Sequence, residues 1–416
     1  MNGSRKWPRP WAFGLLILPV AVYVGFTSTP LPFLLSKAGI SVYEIGTIGS
    51  ILQLPNILVF LWAPLVDVRL RRRVWLVLSA AATALCLWIA LPLVSASSVH
   101  IMTGLLLLGG ITVSLVLASS GGLMVTTLPA EDQSKAAAWN QAGYLAGGAL
   151  GGALILWLVT RLPFFVSGLI AAVVLCAPAL VALSLPEKEP AASHWFKGRL
   201  AAMRREVGGV FKSPFRRWTA LLLMAPAGTG AAQILLPAIA SHYGVGASGV
   251  IWINGLGGGI ALGAGSLLGA MVPGNWDGRI VYAAAGFLNG LAAIVLMSVI
   301  GPTGYLIGTI VYLVTQGLCW ARFTGLIVEI VGPDTQDAST LYSALSAAGS
   351  IPLAYMTWLD GFGYSNFGTH GLLMTDATGN ILVFGIVVAV FLANRLPFRH
   401  ASNRKISLAG GSQRPC

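Results

Sequence analysis

The chain has 416 residues, 56% of them hydrophobic and only 9% charged, with a mean hydropathy of +0.81 and a formal net charge of +12. Apolar runs of about twenty residues recur from end to end, which reads as a polytopic membrane protein and excludes a water-soluble domain. The alternating segments of an outer-membrane barrel are not visible, so helices must satisfy the backbone in lipid, and with no basic soluble domain a nucleic-acid partner is excluded.

The N-terminal "MNGSRKWPRP" followed by an apolar run could imitate a signal peptide. Its run is too long and lacks a small-x-small cleavage site, so it is read as the first helix, over 11–36. Further helices are expected over 43–66, 74–95, 99–128, 136–160 and 163–185. The charged stretch "LPEKEPAASHWFKGRLAAMRREVGGVFKSPFRRW" comes next, its Lys and Arg at roughly helical spacing beside Trp195, Phe196 and Phe211. It reads as a linker on the membrane surface. A second set is expected over 216–243, 248–272, 280–300, 304–331, 338–360 and 378–394. The expected fold is therefore an all-α membrane protein of twelve spans: a bundle over 1–185, a linker over 186–215, a second bundle over 216–394 and a tail over 395–416.

With the amino terminus inside, every Lys and Arg except Lys37, Arg161 and Arg322 falls on an inner loop or tail. Cationic loops resist translocation, so both termini are expected in the cytoplasm. Cys86, Cys176, Cys319 and Cys416 are scattered without metal-binding spacing, so neither disulfide, metal site nor cofactor is expected.

The chain repeats itself. Asp67 with Arg69, Arg71, Arg72 and Arg73 stands between helices 2 and 3, and "GNWDGR", holding Asp277, Gly278 and Arg279, stands between helices 8 and 9. "LPAEDQSKAAAW" after helix 4 answers "VGPDTQDASTLY" after helix 10, aligning Gln133 with Gln336. Both separations are close to half the chain, as two parallel six-helix repeats require.

On these features, and on "LWAPLVDVRLRRRVWLVLSA" between helices 2 and 3, the sequence resembles the major facilitator superfamily. The resemblance implies a gate: Asp67 and Arg71, Arg72 and Arg73, with Asp277 and Arg279 as counterparts, pair across the half-to-half seam when the cytoplasmic side is shut. The family's usual glycines are missing from this loop. Forked Arg–carboxylate bonds that form and release suit such a switch; the alternative is that the arginines only set topology. Helix 5 carries Gly143, Gly147 and Gly151, and helix 8 carries Gly255, Gly259 and Gly263. Such stripes let helices approach closely, either across a moving seam, as helices 5 and 8 do in the resembled fold, or in static packing within each half.

Three stretches, "IGSILQLPNILVFLWAPLVDVRLRRRVWL", "LPAEDQSKAAAWNQAGYLAGGALGGALILWL" and "DASTLYSALSAAG", resemble the AmpG-like permeases. That group spans muropeptide importers, acetyl-CoA transporters and siderophore importers of the pyochelin and rhizobactin type. The extra helix pair of the muropeptide members is absent, and "LASSGGLMVTTLPAE" has no carboxylate before Glu131, which favours the siderophore branch. The resemblance implies a monomeric, secondary-active importer of a ferric siderophore in the bacterial inner membrane, working by alternating access. A muropeptide permease and a proton-driven drug exporter are the alternatives.

Polar residues within spans mark candidate cavity walls, since each is costly in lipid without a partner. Arg322, in "TQGLCWARFTGLIVE", lies nine residues from the helix end, roughly 13 Å deep at the α-helical rise. It wants an anion: Glu329 two turns away, or a carboxylate or phenolate of the substrate. Tyr23 and Thr27, Gln53 and Asn56, Asn140 and Tyr144, Gln233, Asn254 and Gln316 are softer candidates, each also readable as a helix–helix hydrogen bond. With Trp320 and Phe323 they describe an aromatic cavity with few charges. Glu44, Glu329 and Asp360 are the acidic candidates for ion coupling, read as lying near helix ends rather than deep. No nucleotide-binding loop occurs. The histidines, His100, His194, His242, His370 and His400, fall at helix ends, loops or tails, so no catalytic constellation and no enzyme is expected.

Overall fold

A computed structural model describes residues 9–62, 65–66, 70–187, 208, 214–273, 276–331 and 338–393. Asp67, Arg69, Gln336, nearly all of the 186–215 linker and the 395–416 tail lie outside those residues. Among the described residues the regular structure is helical, with no strand, and the helices form twelve spans.

Proline divides the first two spans. Span 1 is built from Ala12–Leu16, Leu18–Ser28 and Pro30–Lys37, with Pro19 and Pro30 in the first turns of their segments, where a missing N–H leaves no ladder bond unmade. Span 2 runs through Val42–Ile51, Leu54–Ile57 and Val59–Trp62. Ser41 and Glu44 form a capping box at its start: the Glu44 N–H donates to Ser41 Oγ at 3.2 Å and the Ser41 N–H to Glu44 Oε2 at 3.3 Å. Glu44 is thus an exposed helix cap. Spans 3, 4 and 5, Arg72–Ala90, Val99–Thr127 and Ala130–Val159, are uninterrupted, and span 6, Phe164–Cys176, tightens into a 3₁₀ segment, Ala177–Ser184, at Pro178.

The second half departs from expectation in two places. Span 7, read from sequence as one helix, is two, Pro214–Leu223 and Ala231–Ile239, parted by residues 224–230. Gly228 and Gly230 turn the chain there with φ of +60° and +69°, a region that L side chains rarely enter. Span 8 passes from Ala247–Val250 through a π-turn, Ile251–Gly257, into Gly258–Met271; spans 9 and 10 are Gly278–Ser298 and Gly301–Val331. Span 11 begins with Ala338–Ala348 and continues in Ser350–Leu392, which kinks at Phe367 and Gly368 and becomes span 12. The turn comes earlier than the expected start of span 12 at 378, so residues 369–377 join the bundle.

The glycine stripes resolve differently in the two halves. A Cβ on Gly143 would lie 2.3 Å from Gly14 O, and one on Gly151 2.9 Å from Val22 Cγ2, so the span 5 stripe seats span 1 within its own half. Gly255 and Gly259 of span 8 face Ala153 and Ala149 of span 5, at 3.2 and 2.4 Å from the Cβ each would carry, and so meet it across the seam. Gly263 meets nothing within 4 Å. Further contacts cross from half to half: Ser36 Oγ donates to Ala238 O at 2.8 Å, Ser50 Oγ donates to Ala354 O, and a Cβ on Gly46 of span 2 would lie 2.8 Å from Thr357 O of span 11. These contacts lie toward the end of the bundle remote from Arg71, Arg72, Arg73 and Arg279.

Candidate functional site

A break in a helix within the membrane frees backbone groups that lipid cannot satisfy. At the span 7 break four other spans supply the partners. Asn380 Oδ1 of span 12 accepts the Gly228 N–H at 2.7 Å, and Gln316 Nε2 of span 10 donates to Gly228 O at 3.1 Å. Tyr282 Oη of span 9 donates to Ala227 O at 2.6 Å, and Tyr355 Oη of span 11 to Met224 O at 3.0 Å. Asn380 and Gln316 are fully buried.

Beneath the break lie two aspartates, both at 0% exposure. Asp376 Oδ2 accepts from Tyr312 Oη at 3.1 Å, and the Ala232 N–H at the start of the resumed span 7 helix sits beside the same carboxyl. A helix N-terminus favours negative charge. Asp360 is an electrostatic neighbour of Asp376, and neither of its oxygens has a hydrogen-bond partner. It stands seven residues before the kink at Phe367, roughly 10 Å inside the turn at the α-helical rise. The expectation that no acidic residue is deep is therefore corrected. The early turn into span 12 carries Asp376 inward, and span 11 extends beyond Asp360. Asp376 was missed altogether, although "MAPAGTGA" is a cluster of helix breakers and Asp376 and Asn380 share one helix face four residues apart.

The other expected site residues fall into separate groups. Tyr23 Oη donates to Leu106 O of span 4, Thr27 Oγ1 to Val24 O at 3.1 Å and Asn140 Nδ2 to Phe13 O at 3.3 Å, all within the first half. Asn56 Nδ2 donates to Gln53 Oε1 at 3.3 Å beside the interruption of span 2. Asn254, in the π-turn, accepts from Tyr305 Oη at 2.9 Å. Tyr144 and Gln233 are half-buried, and Trp320 is exposed, edge-on to Phe323 with ring centroids 5.9 Å apart. Arg322 is half-buried with its Nε unpartnered. Its Nη2 and Glu329 Oε2 converge on the start of span 9, at 3.9 and 3.0 Å from a Cβ built on Gly278. Only Gln316 of the softer candidates joins the network at the span 7 break.

A family model described as the Major Facilitator Superfamily matches residues 11–354, well over half of the 416-residue chain. The chain belongs to this superfamily. Solved structures with the same fold include the nucleoside transporter NupG, at a TM-score of 0.70 and 12% identity over 92% of this chain and 98% of that one. A D-xylose-proton symporter aligns at a TM-score of 0.67 and 15% identity, covering 93% and 96% of the two chains. A POT family transporter in complex with a thioalcohol-conjugated peptide aligns at 0.66 and 12%, covering 92% and 96%. This facilitator is a secondary transporter rather than an enzyme.

At the arginine-rich end of the facilitator, each half has capping bonds of its own. Glu187, at the end of span 6, accepts the Arg72 N–H on Oε1 at 2.9 Å and the Arg73 N–H on Oε2 at 3.1 Å, capping span 3 from outside, just past its N-cap, Arg71. Arg72 Nη1 donates to Gly122 O at 3.2 Å and Arg73 Nη1 to Leu185 O at 3.3 Å. In the second half Asp277 caps span 9 and Arg279 forks onto it, Nε to Oδ1 at 3.1 Å and Nη2 to Oδ2 at 2.7 Å, with the guanidinium 4.4 Å over the Phe215 ring. Partial burial on its own would raise the Asp277 carboxyl; the Arg279 hydrogen bonds and charge outweigh it and hold the group below the usual carboxylate range.

Proposed function

We propose that this facilitator imports a ferric siderophore across the bacterial inner membrane by alternating access, its halves, 1–185 and 216–394, rocking about a central path. The observation that carries the alternating-access part is a seam of small residues between the halves. Ser36 with Ala238, Gly46 with Thr357 and Gly259 with Ala149 join the halves toward the end remote from the arginines, through glycines, an alanine and one hydroxyl bond. Cationic loops belong in the cytoplasm. The cationic end is then the cytoplasmic one, where Asp67 with Arg71, Arg72 and Arg73 latches the halves when that side shuts.

The cargo rests on the likeness to the siderophore branch of the AmpG-like permeases and on a span interior with few cations. Arg322 is the anion contact of this reading, with Trp320 and Phe323 as aromatic walls. A thermal-shift screen of the full chain tests it, with ferric siderophores, anhydromuropeptides, nucleosides and D-xylose as arms. A ligand that binds the native state preferentially raises its melting point, by about 2.7 kcal/mol of stability at a hundredfold excess over Kd. Ferric siderophores are expected to give the shift, and Arg322→Ala to abolish uptake while leaving folded protein. A shift with a nucleoside or muropeptide alone overturns the cargo, and full uptake by Arg322→Ala removes that residue from the site.

A further inference from the structure

The span 7 break combines features that together call for a small cation. Asp360 and Asp376 are fully buried in the middle of a membrane bundle, and neither bonds to a Lys, Arg or His among the described residues. An uncompensated buried carboxylate is costly in a medium that solvates it poorly. Two such groups side by side add mutual repulsion.

The environments of the two differ. Asp376 has a donor in Tyr312 Oη and the Ala232 N–H beside it, both of which stabilise a negative charge. Asp360 has no donor at all. The other ionisable side chains near the pair are phenols and a thiol: span 10 brings Tyr312 and Cys319, and span 9 brings Tyr282, which bonds to Ala227 O. Span 2 brings Tyr43, whose backbone packs on Gly361, and Glu44, which is committed to its capping box. The resumed helix of span 7, Ala231–Ile239, carries no ionisable side chain, and His242 just beyond it bonds to Tyr364 and Thr369. Intramembrane carboxyls of this kind, at the unwound part of a discontinuous helix, are where transporters bind coupling ions.

The seam supplies the gate. Asp360 lies between Thr357 and Gly361, the two residues of span 11 against which Gly46 of span 2 packs, at 2.8 Å from Thr357 O and 3.2 Å from Gly361 Cα for a Cβ built there. Parting of the halves at this end removes the cover of that turn.

We propose that Asp360 is the proton-binding group of this transporter, held neutral beside Asp376 at the broken span 7 and reached by water only when spans 2 and 11 separate. Asp360 takes up one proton from water while spans 2 and 11 are parted, keeps it while that seam is shut, and returns it to water, leaving a carboxylate, when the seam parts again. Asp376 stays hydrogen-bonded to Tyr312 and positions the pair. The proposal depends on transport by rocking halves and not on the identity of the cargo.

The test needs no cargo. Infrared difference spectra of the purified full chain in nanodiscs, between acid and alkaline pH, are expected to show a buried protonated carboxyl band that is lost in Asp360→Asn and unchanged when sodium chloride replaces choline chloride. Asp360→Asn imitates the protonated acid and is expected to fold. Should it not, carbodiimide labelling of the unmodified protein, mapped by mass spectrometry, reads the same group, since the reagent attacks protonated carboxyls in apolar surroundings. Label is expected on Asp360, falling as pH rises. A band that survives in Asp360→Asn, absence of label at Asp360, or a titration that responds to sodium instead of pH would each overturn the assignment. A failure of ferric siderophores to bind leaves these readouts untouched, so the two ideas fail separately.

Discussion

Replacing Asn380 by Leu isolates the cost of the broken helix. The two side chains are close in volume and the site is at 0% exposure, so little cavity arises; the Gly228 N–H, now 2.7 Å from Asn380 Oδ1, loses its acceptor, while the Asp376 carbonyl, which accepts from Asn380 Nδ2 at 2.9 Å, loses one donor within its own helix. An orphaned buried donor costs about 1–3 kcal/mol. Hydrogen bonds between membrane helices measured by double-mutant cycles average about 0.6 kcal/mol, because the unfolded chain in lipid also finds partners. The Gly228 N–H belongs to a turn held by two left-handed glycines and has no helix to fall back into, so the larger figure applies. Thermal melts in mild detergent are expected to show a clear drop for Asn380→Leu and almost none for Asn366→Leu, whose amide is exposed and bonds only locally, to Phe362 O and Ser365 Oγ. Asn380→Asp keeps the acceptor but places a third carboxyl near Asp376 and should be worse than Leu at neutral pH, recovering at acid pH. Melting of Asn380→Leu together with the unmodified protein would refute the argument that side chains from other spans hold the break open.

Glu187→Ala takes the acceptor from the Arg72 and Arg73 N–H groups, a capping loss of about 1 kcal/mol, and hydrogen exchange should quicken at the first turn of span 3 while the far end of that span is unaffected. Asp277 is held below its ordinary range, so its contribution to stability is present above the unfolded value of about 3.9 and disappears as pH falls through the lower folded value. The melting-point advantage of the unmodified protein over Asp277→Asn should therefore persist at neutral pH and vanish only in strong acid; an advantage that vanishes above that range would contradict the Arg279 fork. The combined Ala153→Cys and Gly255→Cys changes place two Cβ atoms 3.2 Å apart across the seam, a little short of the roughly 3.5–4.5 Å of a disulfide, so a few tenths of an ångström of separation lets the bond form. Oxidation should arrest transport and reductant restore it, whereas unhindered uptake by the crosslinked protein would count against rocking of the halves.

The class of the protein and the positions of most spans could be read from the sequence, because a run of apolar side chains carries its own reason for lying in lipid. Arg71, Arg72, Arg73 and Arg279 likewise mark one end of the bundle by charge alone. Individual polar residues were harder. Tyr23, Asn140 and Asn254 stand out in the sequence as polar groups within spans, but their partners, Leu106, Phe13 and Tyr305, are remote in the chain and no periodicity names them. The stripes on helices 5 and 8 show the same limit. Both have the spacing for close approach, yet only Gly255 and Gly259 turn out to lie on the seam.

Composition by itself determined a helical protein of the bilayer with a cationic end, because transfer free energies and topogenic charge are local properties that add along the chain. The break in span 7 and the depth of Asp360 and Asp376 were decided only in three dimensions. A helix opens in lipid where other helices bring Asn380, Gln316, Tyr282 and Tyr355 to its freed backbone groups, and a carboxyl becomes buried when neighbouring spans close around it.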